Sequence, residues 1–292
     1  MTQSRSVDVA RPRWSDAPGV RVPERTLPLL RDLVNTHTGM YYDAERLTYL
    51  RDRLSPLAIE HGFDSLLDYY YLLKYDGETS GEWARAIDAL SVQETYFWRE
   101  ADQLDALVNR IIPALIDAGR RSLRIWSVPC ATGEEPLSIA MALEERGWFE
   151  RLPIEIYASD ASEAALRKAG IGRYGTRAFR QLPLALREKY FEPVTGSLWA
   201  VKSSLSARIT GWSRVNVVRA EEVAQLAGAD VIFCRNLFIY FHEATVRLVA
   251  EQFAERLRTP GFLCVGAAES LLRVTNKFDL QDIGGAYVYV KS

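Results

Sequence analysis

The 292-residue chain holds only three cysteines, three methionines and three histidines. Cys130, Cys234 and Cys264 stand far apart with no C-x-x-C pair, which argues against a disulfide framework or a thiolate zinc site and fits a reducing compartment. His37, His61 and His242 are scattered, so no histidine–acid arrangement is evident and all three read as surface or helix-end residues. The first twenty residues carry Arg5, Arg11, Arg13, Asp16 and two prolines without an apolar run long enough for a signal peptide or a membrane span. A cytoplasmic protein without direct membrane insertion is expected. Positive charge is not in excess either. A net charge of -2 and an isoelectric point near 6.0 supply no general field toward phosphate backbones, so nucleic acid is not an expected partner. Neither a fixed-period repeat nor a low-complexity tract appears.

What the chain does have is enough apolar residue, 48%, beside 25% charged, to bury a sizeable core. Its length suits a large domain plus a smaller one. Residues 1–24 mix Ser, Arg, Pro and Gly and read as a flexible extension. Over 25–90, apolar residues recur at helical spacing, as in Leu47, Leu50, Leu54, Leu57, predicting a small all-α domain. After a helical stretch at 101–119, strands alternate with helices: Arg124–Val128 with helix Glu135–Gly147, Ile154–Ser159 with helix Ser162–Lys168, Val215–Val218, and Asp230–Cys234 with helix 242–258. Strand Phe262–Gly266 and a hairpin from Phe278–Asp282 to Tyr287–Val290 close the chain. The pattern predicts an α/β domain over 101–292, a parallel sheet with helices on both faces and an antiparallel edge. One segment breaks it, and residues about 187–214 read as a small inserted antiparallel β-subdomain.

Open parallel sheets bind ligands beyond the carboxyl ends of their strands, so the residues following each strand carry the chemistry. After the first comes Cys130-Ala131-Thr132-Gly133-Glu134-Glu135-Pro136. Gly133 permits close backbone approach at a helix N-terminus, yet Glu134 there repels a phosphate and suits an ammonium group. That favours S-adenosylmethionine over a dinucleotide. Asp160 ends the second strand about twenty-five residues after the glycine turn, where an acid commonly accepts hydrogen bonds from ribose hydroxyls. Its alternative is a cap on the helix beginning near Ser162. Asn216, on the third strand, has an amide able to read an adenine or ribose edge. The fourth strand runs into Cys234-Arg235-Asn236-Leu237-Phe238-Ile239-Tyr240-Phe241, where Asn236 and Tyr240 could face a cofactor and an incoming side chain, or Tyr240 could be a core aromatic.

At Ser91-Val92-Gln93-Glu94-Thr95-Tyr96-Phe97-Trp98-Arg99-Glu100 the sequence resembles the linker motif of CheR-type chemotaxis receptor glutamate O-methyltransferases. Trp126–Pro136, Ala158-Ser159-Asp160, Ile232–Leu237, Ile239-Tyr240-Phe241 and Gly266-Ala267-Ala268-Glu269-Ser270 follow in that family's order, so the resemblance spans about residues 30–292. It implies a helical N-terminal domain, a linker over the cofactor at 91–100, and a Rossmann-like class I methyltransferase domain with an inserted β-subdomain. It also implies roles: Gln93, Thr95 and Arg99 at the methionine end of S-adenosylmethionine, with Arg99 on its carboxylate; Glu134 on its amino group; Asp160 on the ribose; Asn216 and Val217 on the adenosine side. Arg235 and Asn236 would complete the pocket, and Tyr240 would sit beside the departing methyl, making Arg99 and Tyr240 the expected catalytic pair. The acceptor would be a glutamate of a chemoreceptor, the product S-adenosylhomocysteine, and no metal is implied. The family usually has Asn at Gln93, Tyr at Leu137 and Gly-His-Ser-Glu where Gly266-Ala267-Ala268-Glu269 stands. It also presents a basic helix to its receptor, whereas residues 40–90 here carry five cations against ten anions, net -5, and Pro56 is expected to interrupt the helix bearing Arg46, Arg51 and Arg53. Two other readings remain open: a non-catalytic module binding S-adenosylmethionine or S-adenosylhomocysteine, and a small-molecule carboxyl methyltransferase.

Overall fold

Four helices open the described part of the chain, which in this computed structural model is residues 20–291. They are α1 (Thr26–Thr38), α2 (Leu47–Glu60), α3 (Leu66–Tyr75) and α4 (Glu82–Leu90). Leu30, Leu50, Leu54, Leu66, Tyr69 and Trp83 from these helices bury into one core of their own. The expected extension falls, up to residue 19, outside the described residues. From Val20 the chain is already fixed, because Arg21 exchanges backbone hydrogen bonds with Asp64 and Leu66. Pro56 does not interrupt α2. Leu50, Leu54 and Ala58 bury on both sides of it, and that packing outweighs the loss of one backbone bond at a solvent-facing turn.

The helical stretch after the linker is divided into α5 (Ala101–Ala106), a wide π-turn at Leu107–Ile111 and α6 (Ile112–Asp117). Pro113 supplies no N–H to the preceding turn, and the wider turn lets Leu104, Leu107, Val108 and Ile111 all bury. Ten strands follow: β1 (Leu123–Ser127), β2 (Ile154–Asp160), β3 (Arg173–Gly175), β4 (Phe191–Pro193), β5 (Leu198–Val201), β6 (Ile209–Arg214), β7 (Val231–Cys234), β8 (Gly261–Val265), β9 (Asp279–Ile283) and β10 (Ala286–Lys291). Seven form one sheet in the order β6-β2-β1-β7-β8-β10-β9. It is parallel from β6 to β8, with β10 antiparallel to both β8 and β9. Alternate residues feed two cores. Ile125, Phe233 and Cys264 pack on one face, and Trp126, Ile232 and Leu263 on the other. Both faces are covered, which is why β7 and β8 are almost uninterruptedly apolar.

Two expectations are corrected. Ile209–Arg214 belongs to the main sheet as β6, paired in parallel with β2, and the inserted sheet is instead β3-β5-β4, starting at Arg173. Val215–Val218 is therefore the loop leaving β6, not a strand. Its apolar character reflects burial of Val215 and Val217 against the core beside Trp126, a signal that does not distinguish a strand from a packed loop. The shift carries Asn216 and Val217 beyond the sheet's carboxyl edge.

The helical domain is sewn to that edge. Met40 pairs with Phe241, the Tyr41 N–H donates to the Tyr240 carbonyl at 2.9 Å, and the Asn216 amide donates to the His37 carbonyl at 2.7 Å. Gly39 makes the approach possible: it has φ +77°, and a Cβ there would lie 2.7 Å from Val218 and 3.0 Å from Thr245.

Candidate active site

β1, β2 and β7 end side by side, and the loops that follow them frame a crevice closed from above by the linker. Asp160, the last residue of β2, is 8% exposed. Its Oδ2 accepts the Ala131 N–H at 2.9 Å and its Oδ1 the Ser162 N–H at 2.8 Å. Each oxygen keeps a further lone pair for a ligand hydroxyl. Burial pushes this carboxyl up to about 6, against the pull of those backbone hydrogen bonds. The cap of the next helix, α8 (Glu163–Ile171), is Ser162, whose hydroxyl accepts the Ala165 N–H at 3.0 Å. Asp160 is thereby left to face the crevice.

One compartment of the crevice is lined by Gln93, Asp160, Asn216, Val217, Asn236 and Tyr240. A narrower one, meeting it at Asn236, is lined by Glu94, Thr95, Arg99, Glu135, Arg235 and Asn236. The structure thus brings together nine of the residues the sequence singles out. Gln93 accepts a hydrogen bond from Lys168 at 2.8 Å. Arg99 donates to the Glu94 carbonyl at 3.1 Å and lies over the Tyr96 ring. Asn216 has its amide committed to the His37 carbonyl and the Val218 N–H, so it offers the crevice an edge more than a free donor. Arg235 is a buried beam: its guanidinium donates to Glu135 at 2.6 Å and to the Arg99 carbonyl at 2.8 Å, tying the linker to the sheet.

Gly133 and Glu134 border neither compartment. Gly133, at φ +96°, caps α7 (Glu134–Glu145), and a Cβ on it would meet Tyr174, Ala169 and Trp212 at 3.0–3.1 Å. Its need is helix packing. Glu134 is buried, with Oε2 accepting the Thr132 hydroxyl at 2.6 Å, and burial raises its pKa. The acid at this helix start that does line the crevice is Glu135, held by Ser127 and Arg235. Its neighbouring place in the Glu-Glu pair was the only signal for it.

Glu269 is a second residue the crevice needs and sequence reasoning left without a role. One carboxylate oxygen accepts the N–H groups of Asn236 and Gly266, both at 2.7 Å, and the other that of Ile239 at 3.3 Å. This fixes the loop after β7, including Asn236 at φ +59°, and so sets Tyr240. The Tyr240 phenol is pushed up by burial, with Arg99 and Arg46 pulling the other way. It is a protonated hydroxyl at neutral pH. The expectation of scattered histidines holds for the crevice, which none of the three lines, but His61 does meet an acid: it lies 2.9 Å from Glu82 inside the helical domain, where Glu82 also accepts the Tyr69 hydroxyl.

A buried acid lining the crevice at the end of β2, with Arg99 as a cation in the adjoining compartment, fits a zwitterionic amino acid carried on a nucleoside. The class this defines is the S-adenosylmethionine-dependent methyltransferases of Rossmann-like fold. Within that class the chain belongs to the CheR methyltransferase family: residues 93–285 match the model for the CheR methyltransferase SAM binding domain, and residues 25–91 the one for its all-alpha domain. Chemotaxis protein methyltransferase 2 of Vibrio cholerae is 34% identical over 265 residues, 89% of this chain and 91% of that protein. Chemotaxis protein methyltransferase of Borreliella burgdorferi is 30% identical, over 86% of this chain and 90% of the other. The probable biofilm formation methyltransferase WspC of Pseudomonas aeruginosa is 35% identical over 80% of this chain and 53% of its own length.

Proposed function

We propose that the chain transfers the methyl group of S-adenosylmethionine to glutamate side chains of a chemoreceptor or chemoreceptor-like signalling protein in the cytoplasm. The observation that carries this reading is the meeting of the two compartments at Asn236, with the Tyr240 hydroxyl lining one and the Arg99 guanidinium the other. An ionised carboxylate is already a nucleophile and needs no base. The bound cofactor supplies an activated methyl on a sulfonium, and this chain's residues orient and desolvate the partners. Asp160 holds the ribose, Asn216 and Val217 enclose the adenosine side, and Arg99 holds the cofactor carboxylate with Gln93 and Thr95 beside it. Arg235 and Asn236 support the pocket, and Tyr240 positions the acceptor. The names of the relatives favour turnover over a purely regulatory binding role. Among the described residues no helix is long and apolar enough to cross a membrane, which suits a protein reaching receptor segments from solution.

Incubation of the full chain with radiolabelled S-adenosylmethionine and cytoplasmic chemoreceptor fragments is expected to yield base-labile methyl esters at glutamate positions. Tight cofactor binding with every fragment unlabelled would rule the substrate out.

A further inference from the structure

Glu94 and Arg99 line the same compartment of the crevice, five positions apart on the linker. An ion pair between them would cancel the charge that a cofactor carboxylate has to find. They do not form one. Arg99 meets Glu94 only at its backbone carbonyl, 3.1 Å away, and rests over the Tyr96 ring at 5.5 Å. Among the described residues no carboxylate lies within ion-pair reach of it.

The Glu94 carboxylate is held from the other side. One oxygen accepts a hydrogen bond from Arg180 at 2.9 Å, and the other lies 3.7 Å from Arg177. Both arginines come from the inserted region, where a short helical turn, Thr176–Phe179, follows β3 and Arg180 closes it. Arg180 is the more firmly placed of the two. Its guanidinium lies 3.6 Å from the centre of the Tyr96 ring and donates to the Arg177 carbonyl at 3.3 Å, and its side chain is 35% exposed against 83% for Arg177. The turn is also pinned to the linker by its backbone, because the Phe97 N–H donates to the Ala178 carbonyl at 2.9 Å and the Phe97 ring stacks on Phe179 at 5.2 Å. A planar guanidinium laid on an aromatic ring with a carboxylate at its edge is an orienting arrangement that a flexible ammonium reproduces only in part. Arg180 and Arg99 thus share one ring and one glutamate, and the carboxylate has gone to Arg180.

We propose that Arg180 is a positioning residue for the cofactor: by holding the Glu94 carboxylate it keeps Glu94 from pairing with Arg99, and leaves the Arg99 charge to the carboxylate of S-adenosylmethionine. This rests on the reading of Arg99 as the carboxylate partner, and it adds the turn after β3 to the machinery of cofactor recognition. A partly exposed ion pair contributes little to the fold, so the effect of Arg180 falls on the choice of partner for Arg99. Only the amino-acid end of a ligand senses it, since Asp160 and Asn216 line the other compartment.

The test is calorimetry on the full chain with two probes, S-adenosylhomocysteine and methylthioadenosine, a nucleoside thioether without the amino acid. Arg180→Gln is expected to weaken S-adenosylhomocysteine about fivefold to tenfold and methylthioadenosine by less than about twofold. Adding Glu94→Gln to Arg180→Gln should recover most of that loss, because the glutamine brings Arg99 no competing charge, and Arg180→Lys should retain part of the parental affinity. Equal weakening of both probes would mean that Arg180 braces the whole loop, and it overturns the proposal. So does unchanged S-adenosylhomocysteine affinity in Arg180→Gln, or a double variant that binds no better than Arg180→Gln alone. Arg99→Gln separates this from the reading beneath it. If that variant discriminates between the probes and Arg180→Gln does not, only the role of Arg180 falls; if Arg99→Gln binds both probes like the parent, the assignment of Arg99 falls and the role of Arg180 with it.

Discussion

Replacing Asp160 by Asn should weaken the cofactor site without weakening the fold, and the two effects can be separated by pH. The carboxyl is raised from 3.8 to about 6 by burial, equivalent to about 3 kcal/mol in its proton affinity. The sign follows from linkage. A group whose folded pKa lies above its unfolded value contributes stability below the unfolded pKa and loses that contribution as pH rises through the folded one. At neutral pH, ionised Asp160 is therefore a burden on the ligand-free protein of order 3 kcal/mol. Asparagine has no such burden, but its amide nitrogen cannot accept either the Ala131 or the Ser162 N–H, which costs about 1–3 kcal/mol. The Asp160→Asn protein should melt near or above the parent at about pH 8 and below it near pH 4, where the parent carboxyl is protonated. Meanwhile loss of the ribose hydrogen bonds, about 1.5–3 kcal/mol each for a charged acceptor, should weaken S-adenosylhomocysteine binding by roughly tenfold to a hundredfold or more. In the parent, affinity should fall as pH drops through about 6, because a proton then competes with the ribose. Calorimetry across pH and thermal melts of both proteins read these quantities. Parental affinity in the variant, or an equal melting loss at both pH values, would refute the assignment.

Tyr240→Phe should lower kcat by less than about tenfold, whereas loss of a general base would cost about 10²–10⁴; single-turnover rates on a receptor fragment decide. Arg235→Ala strands the Glu135 carboxylate, bonded at 2.6 Å to a guanidinium 5% exposed, and should cost about 3–5 kcal/mol in urea denaturation followed in the sheet domain. A loss under about 1 kcal/mol would show that water reaches the pair. Gly39→Ala puts a Cβ 2.7 Å from Val218 at a left-handed backbone position. It should part the two domains, seen as faster proteolysis near residues 91–100 together with weaker S-adenosylhomocysteine binding.

Much of the architecture was legible because it follows from periodicity. A helical spacing up to residue 90 and strand–helix alternation after 120 are local signals, and the structure has four helices between Thr26 and Leu90 and a succession of strands and helices from Leu123 onward. What misled was local too. Val215–Val218 is as apolar as a strand, but it buries as a loop, and Ile209–Arg214, although interrupted by Gly211, is the true sheet partner because it lies in register with β2. Arg173–Gly175 is too short to announce a strand before β5 pairs with it. Pro56 is a breaker by its covalent structure and is overruled by a core assembled from other helices.

Adjacent acids show where reading of a site must stop. Glu134 and Glu135 differ by one position in the sequence, and which of them faces the crevice depends on the phase with which α7 leaves Gly133. That phase is set by Tyr174, Ala169 and Trp212 packing against the glycine, residues between about 35 and 80 positions away and without motif of their own. The same holds for the seam between the domains. Asn216 reads as a free amide until the His37 carbonyl is found to occupy it, and Met40, Tyr41 and Tyr240 become neighbours only through two backbone contacts. Because the crevice loop carrying Asn216 is fixed by the helical domain, and the linker is fixed by Arg235 from the sheet, domain docking and cofactor binding draw on shared contacts. Free energy gained in one is gained in the other. A bound cofactor should therefore also hold the helical domain against the carboxyl edge of the sheet.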